Sequence, residues 1–209
     1  DGANWTTLAG LTGTVGVLTI NPANDHPIAG GAFPGNCAEW DGANWTILAG
    51  LTGNVEALTI NSTNGHLVAG GTFTGNCAEW DGATWTTLGE VGGEVAALTV
   101  DPATGHLVAG GMVFTNSGCM EWDGATWNPL GQLSGWCLGL TVDPSNGHVI
   151  AGGVLAVGGS VFATCAEWDG TNWTSLGVLS DWADQPFSFV RALAIDPAND
   201  QLVAGGSFL

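Results

Sequence analysis

The chain has almost no positive charge. Arg191 is its only lysine or arginine against 19 acidic residues, and the formal net charge is −18 with histidine neutral. A surface of that sign repels phosphate backbones and anionic lipid headgroups, so nucleic acid and membrane surfaces are excluded as expected partners. The lack of lysine leaves little for proteases that cut at basic residues, which points to an extracellular or cell-surface location. No apolar run approaches the roughly 20 residues that a membrane-spanning helix needs, and no charged-then-apolar leader is present. The chain opens at Asp1 inside a motif that elsewhere reads Trp-Asp-Gly. It is therefore expected to be a processed or excised piece, from which any export signal would be gone. Signatures of chemistry are missing as well: no G-x-S-x-G elbow, H-E-x-x-H, phosphate loop or EF-hand loop occurs. No cofactor is expected, and no enzymatic activity.

What the sequence has is repetition. Asp1, Asp41, Asp81, Asp123 and Asp169 open five copies of DGxxW, spaced 40, 40, 42 and 46 residues apart. Periods in this range, built from short strand-like pieces, mark repeat arrays. The units run 1–40, 41–80, 81–122, 123–168 and 169–209, and a single domain of 1–209 is expected to share one continuous core. The 35 glycines sit in AGG and DG punctuation, which implies many tight turns rather than disorder.

In the third unit, Val95–Val100 is a nearly unbroken apolar run, as for a strand covered on both faces. Asp101–Gly105 supplies a turn, His106–Gly111 a second strand, Cys119–Trp122 a third, and Asp123-Gly124 a hairpin leading to a fourth at Trp127. One four-stranded sheet cannot bury both faces alone, whereas stacked sheets can. The order of an apolar strand, D-P-x-x-G, LVAGG, xxEWDG and W-T-x-L resembles a WD-repeat blade, and is similar to the kelch-like arrays of secreted proteins. The resemblance covers essentially the whole chain. It implies an all-β fold, a β-propeller of four-stranded antiparallel blades, five in number with the last incomplete; six or more is the alternative. The Gly-His pair of WD repeats is absent, so the hydrogen-bond network of that family is not carried over.

Cys37, Cys77, Cys119 and Cys165 recur once per unit, while Cys137 is extra and stands where other units carry Val55 and Val95. All read as small buried residues, with a disulfide from Cys137 to an unassigned thiol left open. His26, His66, His106 and His148 recur at one position, too far apart to converge on zinc, and are expected to make local polar contacts beside a turn. Glu39, Glu79, Glu121 and Glu167 precede the repeated Trp and, if buried, need donors from indole, hydroxyl or backbone and would have raised pKa values. Being locked to the repeat, they are poor catalytic candidates.

Length variation falls on one face. The loop after AGG grows to Val154–Thr164 in the fourth unit, and the blade-joining loop to Leu179–Phe189 in the fifth. Insertions on one face are where repeat proteins place recognition. Trp136, Phe162, Asp181, Trp182, Asp184, Phe187, Phe189 and Arg191 are therefore the ligand-binding candidates. Exposed aromatics beside carboxylates suit carbohydrate stacking or a protein hot spot. Asn4, Asn44, Asn61 and Asn172 lie in Asn-x-Thr sequons and are candidate glycan acceptors. The expected function is a non-enzymatic binding or assembly scaffold with a protein or glycan partner. The alternatives are a lectin with repeated inter-blade pockets, a filament subunit that self-assembles through the incomplete last blade, and a glycoside hydrolase.

Overall fold

The computed structural model describes residues 7–112, 117–159, 161–179 and 188–207, and among them there is no helix. Four sheets have four antiparallel strands in simple chain order, and a fifth has two. The first comprises β1 (Thr14–Asn21), β2 (His26–Ala32), β3 (Cys37–Trp40) and β4 (Trp45–Ile47); the second β5 (Val55–Ile60), β6 (Leu67–Gly71), β7 (Cys77–Trp80) and β8 (Trp85–Thr87). The third comprises β9 (Glu94–Val100), β10 (Leu107–Met112), β11 (Cys119–Trp122) and β12 (Trp127–Pro129). The fourth has β13 (Leu133–Val142), β14 (Val149–Val157), β15 (Val161–Trp168) and β16 (Trp173–Ser175), and the last β17 (Phe189–Asp196) and β18 (Gln201–Ser207). The four strands read from the third unit's sequence are therefore present, with bounds shifted by a residue.

The core lies between sheets. Val68 and Cys77 of the second sheet pack with Val95 and Leu98 of the third, while Leu67, Ala69 and Ala78, on the opposite face, pack with Ile28 and Cys37 of the first. Alternation within one strand thus serves two seams, and the LVAGG segment of β6 is buried throughout. The glycines of AGG are fixed by close approach. A Cβ at Gly30 would lie 2.5 Å from Val55 of the next sheet, one at Gly152 would lie 2.6 Å from Val190, and one at Gly70 would collide with Val95.

Each innermost strand carries a bulge at the same place. Val15 and Val17 oppose Gly31 and Gly30, leaving Gly16 unpaired; Val55 and Ala57 bracket Glu56 in the same way. Ala96, Leu138 and Arg191 are the corresponding extra residues of β9, β13 and β17. These strands contact each other in the order β1, β5, β9, β13, β17, forming an arc.

Successive units are also tied at their outer strands. The indole Nε1 of Trp85 donates to the Leu48 carbonyl at 2.9 Å, Trp127 to Leu88 at 2.6 Å, and Trp173 to Leu130 at 2.6 Å. Each of these indoles also leans on a second one across the WDG hairpin. Trp40–Trp45, Trp80–Trp85, Trp122–Trp127 and Trp168–Trp173 have centroids 5.4–5.6 Å apart. The repeated Trp-Asp-Gly motif therefore sits in equivalent surroundings in four units. Its aspartate caps the turn: Asp123 Oδ1 accepts from the backbone N–H of Ala125 and Thr126, both at 2.8 Å. Those bonds, with the Thr126 hydroxyl and the Asn128 amide, lower the Asp123 carboxyl to about 2.

In the fourth unit the structure corrects the reading of Val154–Thr164 as a loop. The alternating VLAV and VFAT stretches extend β14 and β15 into a longer hairpin, turned at Gly158-Gly159 with φ of 59° and 75°.

Candidate functional site

The repeat-locked histidines and glutamates form a clip within each unit. Glu39 accepts from the side-chain amides of Asn21 at 3.0 Å and Asn24 at 2.9 Å, and Glu79 likewise from Asn61 and Asn64. In the third and fourth units histidine comes within hydrogen-bond distance: His106 Nδ1 lies 3.1 Å from Glu121, and His148 Nδ1 lies 2.8 Å from Glu167, beside the Asn146 amide at 3.1 Å. Every clip joins the first turn of a sheet to its third strand. The donors are amides and imidazoles rather than the indole, hydroxyl and backbone groups expected, with a Thr104 hydroxyl as the one partial match. The four imidazoles stay with their own units and do not gather.

Of the sequon residues, Asn44 and Asn172 are exposed at hairpins. Asn61 spends its amide on Glu79 and its carbonyl on the Thr63 N–H, so a glycan there would displace the clip. Asn4 lies outside the described residues, as do Asp181, Trp182, Asp184 and Phe187.

The remaining ligand-binding candidates divide between two places. Trp136 pairs with Val154 and Phe162 with Ala156 on the extended hairpin, and their accessibilities are 52% and 76%. Paired residues share a sheet face, so both rings stand on the outer face; Leu133, Leu155 and Ala163, on the inner one, are buried. Phe189 and Arg191 lie instead on β17, where the Arg191 guanidinium carbon sits 5.3 Å from the centre of the Phe189 ring.

Arg191 leads to the main feature of the molecule. The five bulge residues Gly16, Glu56, Ala96, Leu138 and Arg191, one from each sheet, line a single cavity of about 590 Å³. Thr14, Asn54 and Glu94 line it too. These precede Val15, Val55 and Val95, and Trp136 and Phe189 hold the same place in the sequence before Cys137 and Val190. The cavity is thus lined by all five members of the bulge column and by Thr14, Asn54 and Glu94 of a second column, and residues in both columns differ from unit to unit.

Two carboxyls meet in this cavity. Glu56 from β5 and Glu94 from β9 both line it. Desolvation, then the neighbouring Glu94 carboxyl, raise Glu56 to about 7, and the Arg191 charge across the cavity opposes the rise. The site therefore combines two neighbouring carboxyls with the chain's one guanidinium. It can accept hydrogen bonds, donate them, and change its charge near neutral pH.

Glu56 and Glu94 were not among the residues singled out from sequence. Their signal is residue variation within an otherwise constant strand, whereas loop length draws the eye to the hairpins.

No protein-family model and no curated protein matches this chain.

Proposed function

We propose that the protein is a non-enzymatic, extracellular or surface binding scaffold whose ligand enters the common cavity. The observation that carries this reading is the pattern of the repeat. Packing and turn positions recur from unit to unit, while the five bulge residues lining the cavity read Gly, Glu, Ala, Leu and Arg. Variation at one position of a repeated strand, where it faces a shared space, places specificity there. The ligand is a small hydroxyl-rich group, a glycan terminus, for which a carboxyl pair and a guanidinium supply both donors and acceptors. Trp136 and Phe162 offer a separate exposed stacking surface on the extended hairpin. This favours a singular central site over repeated inter-blade pockets.

A glycan array followed by calorimetric titration tests the reading. The captured glycan should lose about 10- to 100-fold in affinity with E94Q or R191M, the range for a hydrogen bond to a charged group. Affinity unchanged from the wild type in both variants, or turnover of the captured glycan, would refute it.

The finer architecture belongs to the same proposal: the arc closes into a β-propeller. Val15 and Leu18 of β1 have accessibilities of 42% and 64%, whereas their equivalents Val55 and Leu58 have 1% and 9%. At the other end, a Cβ at Gly205 would meet only Ala192 at 3.9 Å, although Gly30, Gly70, Gly110 and Gly152 are each filled by the next sheet. The free knob and the free hole are those of every internal seam. In a closed ring G205A lowers the melting temperature as much as G70A does; in an open arc it leaves it unchanged. Light scattering separates closure from head-to-tail assembly, in which the same two faces meet between molecules.

A further inference from the structure

Every seam between sheets sets a cysteine of one sheet against a residue of the next. Cys37 shares a core cluster with Val55, and Cys77 shares one with Val95. At the third seam the partner of Cys119 is Cys137. The register gives their orientation. Cys119 pairs with Gly110 across β10 and β11, so its side chain leaves the sheet on the face where a Gly110 side chain would stand. That space is taken from the fourth sheet by Cys137, whose Sγ lies 2.5 Å and Cβ 3.0 Å from a Cβ placed on Gly110. Directly opposed residues in a sheet hold their Cβ atoms about 4.5–5.5 Å apart, so both sulfurs reach the same point. Cys165 is excluded as the partner, because its opposite residue Gly152 faces Val190 on the next seam.

We infer that Cys119 and Cys137 are a disulfide site that bolts the third sheet to the fourth, formed by exchange with a low-molecular-weight disulfide. One cysteine thiolate attacks a sulfur of the oxidant and expels its first thiolate. The second cysteine thiolate attacks the resulting mixed disulfide, the protein S–S bond forms, and the second thiolate leaves. The two cysteine protons end on the two released thiols, and two electrons pass from protein to oxidant. Both sulfurs are fully buried, so exchange takes place while the seam is open, during folding. The site does not depend on the cavity reading and stands if that reading fails.

The test is refolding of the full chain with oxidised glutathione, followed by thiol titration in denaturant. Of the five thiols, three should remain reactive, and a chymotryptic digest without reductant should contain one peptide pair linking Cys119 to Cys137. The bond closes a loop of moderate length, so oxidised protein should melt about 6–12 °C above reduced protein. C137V places at 137 the residue that the second and third units carry, and its melting should not respond to reductant. Five reactive thiols after refolding, a bond from Cys137 to another cysteine, a stable glutathione adduct, or a reductant response retained in C137V would each overturn the assignment.

Discussion

Val95 of the third sheet occupies the space that a side chain on Gly70 of the second would need. The relationship recurs at successive seams, and it explains why a strand interior keeps a residue that weakens strands in isolation.

Replacing Gly70 with alanine forces Val95 and Leu98 off their positions, because the nearest atoms are packed side chains and not free ends. The expected cost is about 1–3 kcal/mol, the range for overpacking a filled core. G16A is the control: its Cβ would meet only carbonyl oxygens at 3.8 and 4.0 Å, and the third unit already carries Ala96 there. Denaturant titration should show a lower midpoint for G70A and an unchanged one for G16A. Equal loss in both would mean that the seams are not the sensitive element.

The indole ties between units differ in quality. Trp127 reaches the Leu88 carbonyl at 2.6 Å in a partly buried site, while Trp45 reaches Leu8 at 3.4 Å in an exposed one. W127F keeps an aromatic ring but removes the N–H and part of the indole's packing, leaving the carbonyl unsatisfied, at a cost of about 1–3 kcal/mol. W45F should change stability by less than about 0.5 kcal/mol. Thermal melting of both variants decides the matter, and an equal effect would show that the contact with the neighbouring indole is what matters.

The carboxyl pair makes stability depend on pH in a defined direction. Glu56 is raised in the folded chain from 4.5 to about 7, so between those values the folded state holds more protons than the unfolded one. Stability from this group is complete below 4.5 and is lost as pH rises through 7. Over that window the wild type should lose more melting temperature than E56Q, which keeps a hydrogen-bonding group and has no charge to place. A parallel decline in both proteins would assign the effect to other groups.

The clip of the fourth unit should be the strongest of its kind, since it has the shortest imidazole contact. E167A removes the acceptor shared by His148 and Asn146. A loss of about 1 kcal/mol is expected, read as a drop of about 2–4 °C in melting temperature. Hydrogen exchange should quicken in the turn between β13 and β14 while the β15–β16 hairpin keeps its protection.

The architecture was legible because the determinants are local and repeated. DPATG, AGG and WDG each specify a turn or a close approach without reference to distant residues, and the structure places them as read. Cys137 was legible by position, as the residue standing in for Val55 and Val95, but its partner was not. Pairing with Cys119 depends on how two sheets face, which the order of residues along one chain does not state. The cavity was harder still. Glu56 and Glu94 are 38 positions apart on different sheets, Glu56 at a bulge and Glu94 at a paired position. Arg191 was noticed for its rarity, although nothing in its neighbourhood along the chain announces the two acids it faces.

The bulge has a practical outcome. Because the unpaired residue of each inner strand escapes the interlocking that governs its neighbours, it can be exchanged without renegotiating the rest. Glycine, glutamate, alanine, leucine and arginine are all tolerated there. The molecule behaves as a fixed frame with five interchangeable tiles, and rewriting those tiles is the shortest route to a new recognition chemistry on an unaltered body.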